Sequence, residues 1–277
     1  MNGDLVDAHV HLLPPRLAAR VRRVFDEHLP GQLAYATPDA DAVLDDLAGA
    51  GVGAAWVLPY AHAPGVAEWL VPATAEHVAT LAVAHPDVDL VLGATVHPGD
   101  PAGATAVHDA VHKHGARVLK LHCAVGGFAG DDRRLDPVLA LCSALSLPIV
   151  LHVGKHAAGT SAAPDLGEVD RVATRFPDLP LIVAHTALPA IEATLALLER
   201  HPNLHADLTP VVAATPELSD EQLIRFGDRL LFGSDAPNTG LRVGDAIARW
   251  RDRPLPADTR SAILGGNARR LTAAVRT

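Results

Sequence analysis

Short apolar segments recur along this chain, and a turn and a helix-like segment follow each of them. Most are continuously apolar, as expected for parallel strands that are covered on both faces. Eight strand and helix units without a change in composition favour one closed (β/α)8 barrel, an α/β TIM barrel, over an open doubly wound sheet. The predicted strands are Leu5–Ala8, Ala54–Leu58, Leu90–Thr95, Arg117–His122, Pro148–His152, Leu181–Ala184, Leu204–Asp207 and Leu230–Gly233.

Helix signals fill the intervals between these strands. Thr37 is a plausible N-cap for a helix that begins at Pro38, and a helix is also expected near Arg16–Phe25, in the long Leu12–Ala36 stretch after the first strand. That stretch lies where a loop covering a substrate would belong. Further helices are predicted at Ala73–Ala84, Ala102–His114, Pro137–Leu145, Glu168–Arg175, Pro189–Arg200, Pro216–Phe226, Val243–Trp250 and Ser261–Val275.

Length and composition fit a single barrel domain spanning residues 1–277. One (β/α)8 barrel occupies about 250 residues, and the chain has 277, of which 49% are hydrophobic and 20% charged. The net charge of −9 and the lack of a basic run argue against nucleic acid as a partner, because binding to phosphates needs cations. A small-molecule substrate is the expected partner, and a homodimer is a possible assembly.

Cysteine usage and hydropathy predict a cytoplasmic location. The two cysteines, Cys123 and Cys142, form no CxxC motif, which fits a reducing compartment. The N-terminus has no basic region followed by an apolar stretch, and no run of about 18 apolar residues indicates a membrane span.

Polar residues occur where the first and last apolar runs end, which is where barrel enzymes carry their active-site groups. Alternation in an extended chain places His9 and His11 on one face, so two imidazoles could bind one cation. An HxH pair alone is weak evidence in a chain with 16 histidines, and chance or a structural role is the alternative. Asp235 follows the eighth run and could bind metal and accept a proton; the alternative is a helix N-cap.

Lys120 and His122 lie in the fourth run, where an unpaired buried ammonium would be costly. Lys120 could be a structural or substrate-facing cation paired with a carboxylate. Alternatively, its amine could be carboxylated by carbon dioxide and bridge two metal ions, since buried lysine readily loses its proton. His122 shares that face and could reach substrate, or it could be an ordinary hydrogen-bonded histidine.

Two further histidines end consecutive strands. His152 ends the fifth run and His185 ends the sixth. One histidine at the end of an apolar strand is usually structural, but two of them in a chain that opens with HxH form a constellation. Imidazole nitrogen binds Zn, Fe, Mn or Co well.

The chain resembles the amidohydrolase superfamily, and more narrowly its amidohydrolase-related group, which also contains aromatic and amino-muconate decarboxylases. The order and spacing of six motifs across almost the whole chain carry the resemblance. These are DAHVH (7–11), VLKLH (118–122), IVLH (149–152), LIVAH (181–185), LLFGSDAP (230–237) and GGNARRL (265–271).

The resemblance implies a role for each matching position. His9, His11 and Asp235 would hold the more buried metal. In mononuclear relatives, His152 completes that site and His185 polarises water or substrate. In binuclear relatives, His152 and His185 hold a second metal, and a carboxylated lysine at the position of Lys120 bridges the pair. The expected cofactor is a divalent metal, zinc in the first instance, as one ion or two. Asn267 is expected to tie the terminal helix to the barrel.

The leading hypothesis is hydrolysis of a small ester, lactone or amide, with Asp235 moving the proton and His185 stabilising charge on the carbonyl oxygen. Non-hydrolytic decarboxylation of an aromatic or dienoic acid is the alternative within the same group. It would need a cation for the acid, for which Lys155 and the arginines of Leu12–Ala36 are candidates; simple solvent exposure is the alternative for each. A TatD-like deoxyribonuclease and a metal-binding barrel without catalysis are more distant alternatives.

Overall fold

The computed structural model describes residues 4–154, 165–210, 218–251 and 253–277. Its eight strands form one parallel sheet in which each strand pairs with the next along the chain. The predicted α/β barrel is therefore confirmed. The strands are Leu5–Val10 (β1), Val52–Val57 (β2), Asp89–Thr95 (β3), Val118–His122 (β4), Ile149–His152 (β5), Leu181–Val183 (β6), Leu204–Asp207 (β7) and Leu230–Leu231 (β8).

Backbone hydrogen bonds between the first and last strands close the sheet. Ala8 N–H donates to Phe232 C=O at 2.9 Å, and His11 N–H donates to Ala236 C=O at 2.8 Å. A parallel bridge joins Val10 to Ala236. Closure leaves no free sheet edge, and it brings the segment after β8 against the end of β1.

The helices cover the outside of the barrel. They are Pro15–His28 (α1), Ala40–Gly49 (α2), Val66–Ala84 (α3), Gly103–His114 (α4), Cys123–Gly126 (α5), Asp136–Leu145 (α6), Leu166–Arg175 (α7), Ile191–Arg200 (α8), Asp220–Phe226 (α9), Val243–Arg251 (α10), Ala257–Ser261 (α11) and Asn267–Ala273 (α12). Among the described residues, no helix combines the length and the apolar composition needed to cross a bilayer.

Strand alternation divides the buried side chains into two layers. Leu119 and Leu121 of β4 belong to the large cluster that packs beneath the helices. Val118 belongs to a second cluster, which draws on β1, β2, β5, β6 and β8 and includes Ala268 and Leu271 of α12. Since side chains two residues apart share a face, Lys120 and His122 continue the Val118 face towards the carboxyl end of the barrel.

The starts of α2 and α3 show how capping and packing move a helix boundary away from the predicted residue. The predicted N-cap at Thr37 is wrong, because Asp39 caps α2 by accepting a hydrogen bond from Asp41 N–H at 3.2 Å. Helix α3 begins at Val66 rather than at Ala73 and carries Pro72 inside it. Proline inside a helix lacks a backbone donor, but burial of Ala67, Leu70 and Val71 stabilises the turns that precede it.

The C-terminal segment is tied to the barrel as the sequence predicts, through Asn267. This residue is fully buried, and its side-chain amide donates to Gly227 C=O and Leu230 C=O, both at 2.7 Å. The predicted single helix Ser261–Val275 is interrupted, however, by a wide turn at Ala262–Gly266. Gly265 lies in that turn, where a Cβ would collide with the backbone carbonyl of Asp4.

Replacement of Asn267 by alanine is expected to lower the free energy of unfolding by about 1–3 kcal/mol, because two buried carbonyls lose their donor. Urea denaturation followed by circular dichroism measures the change. Lys113→Ala is the control, since it removes an exposed pair with Asp109 that is worth about 0.3–0.5 kcal/mol. Equal effects of the two substitutions would contradict the structural role of Asn267.

Candidate metal centre

Closure of the barrel brings three predicted ligands together at its carboxyl end. The ligand atoms of His9, His11 and Asp235 all lie within 4.8 Å of one another, and the three residues are buried. Asp235 Oδ1 lies 3.1 Å from His11 Nε2 and 4.0 Å from His9 Nε2. Two ligands at 2.0–2.1 Å from a tetrahedral zinc ion lie about 3.4 Å apart. The distances from Asp235 Oδ1 to the two imidazole nitrogens, 3.1 and 4.0 Å, lie on either side of that value.

Each imidazole is oriented by a hydrogen bond at its other ring nitrogen. His9 Nδ1 donates to Asp207 Oδ2 at 2.9 Å, and His11 Nδ1 donates to Leu58 C=O at 2.7 Å. This arrangement fixes the tautomer and directs both Nε2 atoms towards Asp235. Burial, reinforced by the charge of Lys120, lowers the pKa of His9 to about 3. His9 is therefore a neutral imidazole with its lone pair at Nε2, which is the form that binds metal.

Asp235 lies in a loop rather than at the start of a helix. Its backbone is left-handed, with φ of 62°, and α10 begins only at Val243, so the helix-cap alternative is wrong. Burial by itself would raise the pKa of Asp235, but the hydrogen bond and charge of His11, with the charges of His185 and His9, hold it below its ordinary value. The carboxylate is ionised at neutral pH and can act as a ligand or a proton acceptor.

Lys120 reaches into the same cluster from β4. Its side chain is fully buried, and Nζ donates to His9 Nε2 at 2.9 Å. Burial lowers the pKa of Lys120 to about 8, although the charges of Asp207 and Asp235 partly oppose the shift. Of the two sequence alternatives, a direct ion pair with a carboxylate is not formed among the described residues. An ammonium so close to the donor atoms would repel a metal cation, so a bound cation requires the neutral or a modified amine.

The remaining predicted histidines continue the cluster around the barrel mouth. His185 lies beside His9, with ring centroids 4.9 Å apart, and His152 lies 4.7 Å from His185. His122 stacks on His152 at 3.9 Å. The structure therefore brings His122, His152 and His185 to the site, whereas Lys155 lies outside the described residues.

Asp207, at the end of β7, is a central residue that the sequence prediction missed. Besides His9, its carboxylate accepts hydrogen bonds from the backbone N–H groups of His185 at 2.8 Å and Thr209 at 3.2 Å. Burial alone would raise its pKa, but the charge and hydrogen bond of His9, together with His185 and Lys120, hold the pKa well below the usual range. Its signal in the sequence was the same as that of His152: a polar residue that ends an apolar strand.

Asp7 has a different role from the histidines that follow it. Its Oδ1 accepts hydrogen bonds from His9 N–H at 3.1 Å and Ser234 N–H at 3.0 Å, so the carboxylate joins β1 to the segment after β8. Burial raises the pKa of Asp7 to about 7, although hydrogen bonds from Ser234 and His9 oppose the shift. Asp7 therefore holds the two ligand-bearing segments in register.

Comparisons with known proteins agree with this architecture. The sequence profile of the family described as amidohydrolase matches residues 6–271, so the chain belongs to the amidohydrolase family and is an enzyme of that superfamily. Among proteins of curated function, none matches this sequence.

Solved structures with the same fold include an uncharacterised TIM-barrel protein from Bordetella bronchiseptica, with a TM-score of 0.77, 23% identity and coverage of 98% of each chain. A dihydroxybenzoic acid decarboxylase from Polaromonas sp. JS666, solved with manganese and 2-nitroresorcinol, gives a TM-score of 0.73 at 14% identity, covering 100% of this chain and 98% of that one. A dihydroorotase from Campylobacter jejuni gives a TM-score of 0.62 at 13% identity, covering 98% of this chain and 84% of that one.

The donor set fits a divalent cation. Two imidazole nitrogens and one carboxylate are ligands that zinc, manganese, iron and cobalt all accept. A divalent metal is thus supported by the family and by the His9, His11 and Asp235 cluster, without a choice among these metals.

Asp207→Asn is expected to weaken metal binding by about 10–100-fold, because the amide no longer fixes the orientation and basicity of His9. Competition with a chromophoric chelator measures the affinity. Asp170→Asn is the matched control: Asp170 Oδ1 bonds His201 Nε2 at 2.6 Å, in a pair of the same kind away from the centre. Unchanged affinity in Asp207→Asn would contradict the assignment of Asp207 as an orienting residue.

Proposed function

We propose that this protein is a metal-dependent hydrolase that cleaves a small-molecule ester, lactone or amide. The observation that carries the proposal is the position of the Lys120 amine, 2.9 Å from His9 Nε2 within the donor cluster. The family resemblance links a carboxylated lysine on this strand to binuclear centres. The proposal requires the neutral amine for that modification, and burial favours this form.

A bound divalent cation supplies Lewis acidity, which lowers the pKa of water from about 15.7 towards 7 and polarises a carbonyl oxygen. Asp235 accepts the proton that water loses on attack and returns it to the departing alcohol or amine. In the one-ion form, His185, whose ring centroid lies 4.9 Å from that of His9, polarises the carbonyl oxygen as charge develops there. Water thereby divides the substrate into an acid and an alcohol or amine.

Lys120 determines how many cations the site holds. Its neutral amine adds to carbon dioxide, forming one N–C bond and releasing one proton, and the resulting carbamate offers two anionic oxygens as ligands. His152 and His185 then serve a second ion. Without the modification, the neutral amine leaves one ion on His9, His11 and Asp235, with His152 as a further ligand.

Removal of metal is expected to abolish turnover, and reloading with zinc or manganese is expected to restore it. The purified protein is dialysed against a chelator and assayed with a panel of esters, lactones and amides, and its metal content is measured by inductively coupled plasma mass spectrometry. One equivalent favours the unmodified lysine, and two equivalents favour the carbamate. Full activity in the metal-free protein would rule out this mechanism.

Non-hydrolytic decarboxylation of an aromatic or dienoic acid is the second candidate, because similar structures include the Polaromonas decarboxylase and a 5-carboxyvanillate decarboxylase from Sphingomonas paucimobilis. The latter gives a TM-score of 0.68 at 16% identity, covering 98% of this chain and 99% of that one. The proposed cation for the acid has little support in Leu12–Ala36. Arg16, Arg20 and Arg23 are exposed, and Arg22 donates to Asp26 and to Tyr35 C=O.

Product analysis separates the two reactions. Hydrolysis in H2(18)O is expected to place one heavy oxygen in the acid product and to release no carbon dioxide from the substrate. Decarboxylation of a carboxyl-labelled hydroxybenzoate would release labelled carbon dioxide without taking up oxygen from water. Asp235→Asn, which lacks the proton acceptor, provides the background for both measurements. If the parent protein releases carbon dioxide and Asp235→Asn does not, the hydrolase proposal is rejected in favour of the second candidate.

The partner and location that the sequence predicts remain part of the proposal. A small-molecule substrate fits the net charge of −9, and a cytoplasmic location and a homodimer are carried over from the sequence prediction. The same charge disfavours a TatD-like nuclease, which would need a basic face for DNA. The convergence of five histidines and Asp235, whose neighbour His9 has a strongly lowered pKa, disfavours a barrel without catalysis.

A further inference from the structure

Six aromatic side chains form a closed circle that includes two residues of the candidate metal centre. Neighbouring ring centroids lie 3.9–5.4 Å apart all the way round. Five members are the histidines that the sequence singles out, and the sixth is Tyr60. The circle runs His11, Tyr60, His122, His152, His185, His9 and back to His11.

Tyr60 follows β2 and lies between the first and fourth strands of the site. Its ring contacts His11 edge-on at 5.4 Å and His122 at 5.3 Å. The side chain is partly buried, and Asp235 acts on it electrostatically. Tyr60 therefore lies beside two histidines of the site and within electrostatic range of Asp235.

The hydroxyl of Tyr60 has no hydrogen-bond partner among the residues that the structure describes. The other tyrosine of the chain behaves differently, because the Tyr35 hydroxyl donates to Asp46 Oδ2 at 2.5 Å. A phenol enclosed in a protein ordinarily finds a partner for its O–H group. The group that Tyr60 is positioned to meet is a ligand in the mouth of the barrel.

We propose that Tyr60 binds substrate through its hydroxyl, which donates a hydrogen bond to the substrate oxygen on which negative charge develops. This assignment rests on the proposed function, in which that atom is the carbonyl oxygen of an ester, lactone or amide. A phenolic hydroxyl can donate or accept a hydrogen bond, and this role uses it as a donor. Tyr60 and His185 hold the oxygen from opposite arcs of the circle, while Asp235 handles the proton of water.

A purely structural role would require only the ring. In that case Tyr60 spaces His11 from His122 by edge contacts, and phenylalanine would serve equally well. A substrate-binding role requires the hydroxyl. Tyr60→Phe separates the two, because it removes one oxygen atom and keeps the ring.

In Tyr60→Phe, kcat is expected to fall about 100-fold with little change in KM, as found when one donor to a developing oxyanion is removed. Metal content and the urea midpoint are expected to stay at the parent values. Tyr35→Phe is the matched control, with a lower urea midpoint and the parent kcat. A kcat of Tyr60→Phe within threefold of the parent, or a loss of bound metal in that variant, would overturn the proposal.

A binding measurement tests Tyr60 without turnover. Because the chain has two tyrosines, the metal-loaded protein labelled with 3-fluorotyrosine gives two fluorine resonances, which the two phenylalanine variants assign. Acetohydroxamate, which has oxygens like those of a carbonyl substrate and no aromatic ring, is expected to shift the Tyr60 resonance and leave that of Tyr35 in place.

The two measurements distinguish failure of this inference from failure of the proposed function. If acetohydroxamate at saturating concentration leaves the Tyr60 resonance unshifted, the proposed role of Tyr60 is overturned even if the protein is a hydrolase. Conversely, a shifted Tyr60 resonance in a protein that hydrolyses none of the panel would support Tyr60 as a ligand-binding residue and reject the hydrolase assignment.

Discussion

The pairing of the first strand with the segment after the last one is the constraint on which the site depends. His9 and His11 are more than two hundred residues from Asp235 in sequence, and no local preference could bring them together. The backbone does so directly, since Asp235 N–H donates to His9 C=O at 2.8 Å and Asp7 bridges the N–H groups of His9 and Ser234. The bonds that close the barrel also set the distance between the imidazoles and the carboxylate.

Close packing at this seam limits which residues can occupy it. A Cβ on Gly233 would lie 2.7 Å from His9 Cβ and would collide with the Thr209 hydroxyl. The glycine thus lets β7, β8 and β1 approach closely enough for Asp207 to reach His9. Asp207 also accepts a hydrogen bond from the N–H of His185. The backbone of His185 is left-handed, with φ of 54°. Such strain in a residue other than glycine persists only where the surroundings enforce it, and it concentrates at functional sites.

Much of the fold was predictable because the apolar runs and the polar residues that end them follow one rule of the barrel. That rule located all eight strands and the residues His9, His11, Lys120, His152, His185 and Asp235. It should also have located Asp207, but a single aspartate after an apolar run looks like a turn residue or a helix cap. Tyr60 was harder to find, because it follows Pro59 beyond its strand and its type is common in cores. Only the ring contacts with His11 and His122 distinguish it.

Helix boundaries were less predictable for a related reason. Thr37 favours an N-cap, and Pro72 favours a helix boundary. The cap at Asp39 and the burial of the turns before Pro72 outweigh these local preferences.

The electrostatics of the buried cluster connect Lys120 to metal binding. Asp207 and Asp235 have lowered pKa values and together hold two negative charges, which a protonated Lys120 only half neutralises. One divalent cation would neutralise both, and it would remove the reason for Lys120 to keep its proton. Carboxylation would add a negative charge and so create the demand for a second cation. In the proposed mechanism, the state of the Lys120 amine and the number of bound ions are therefore coupled.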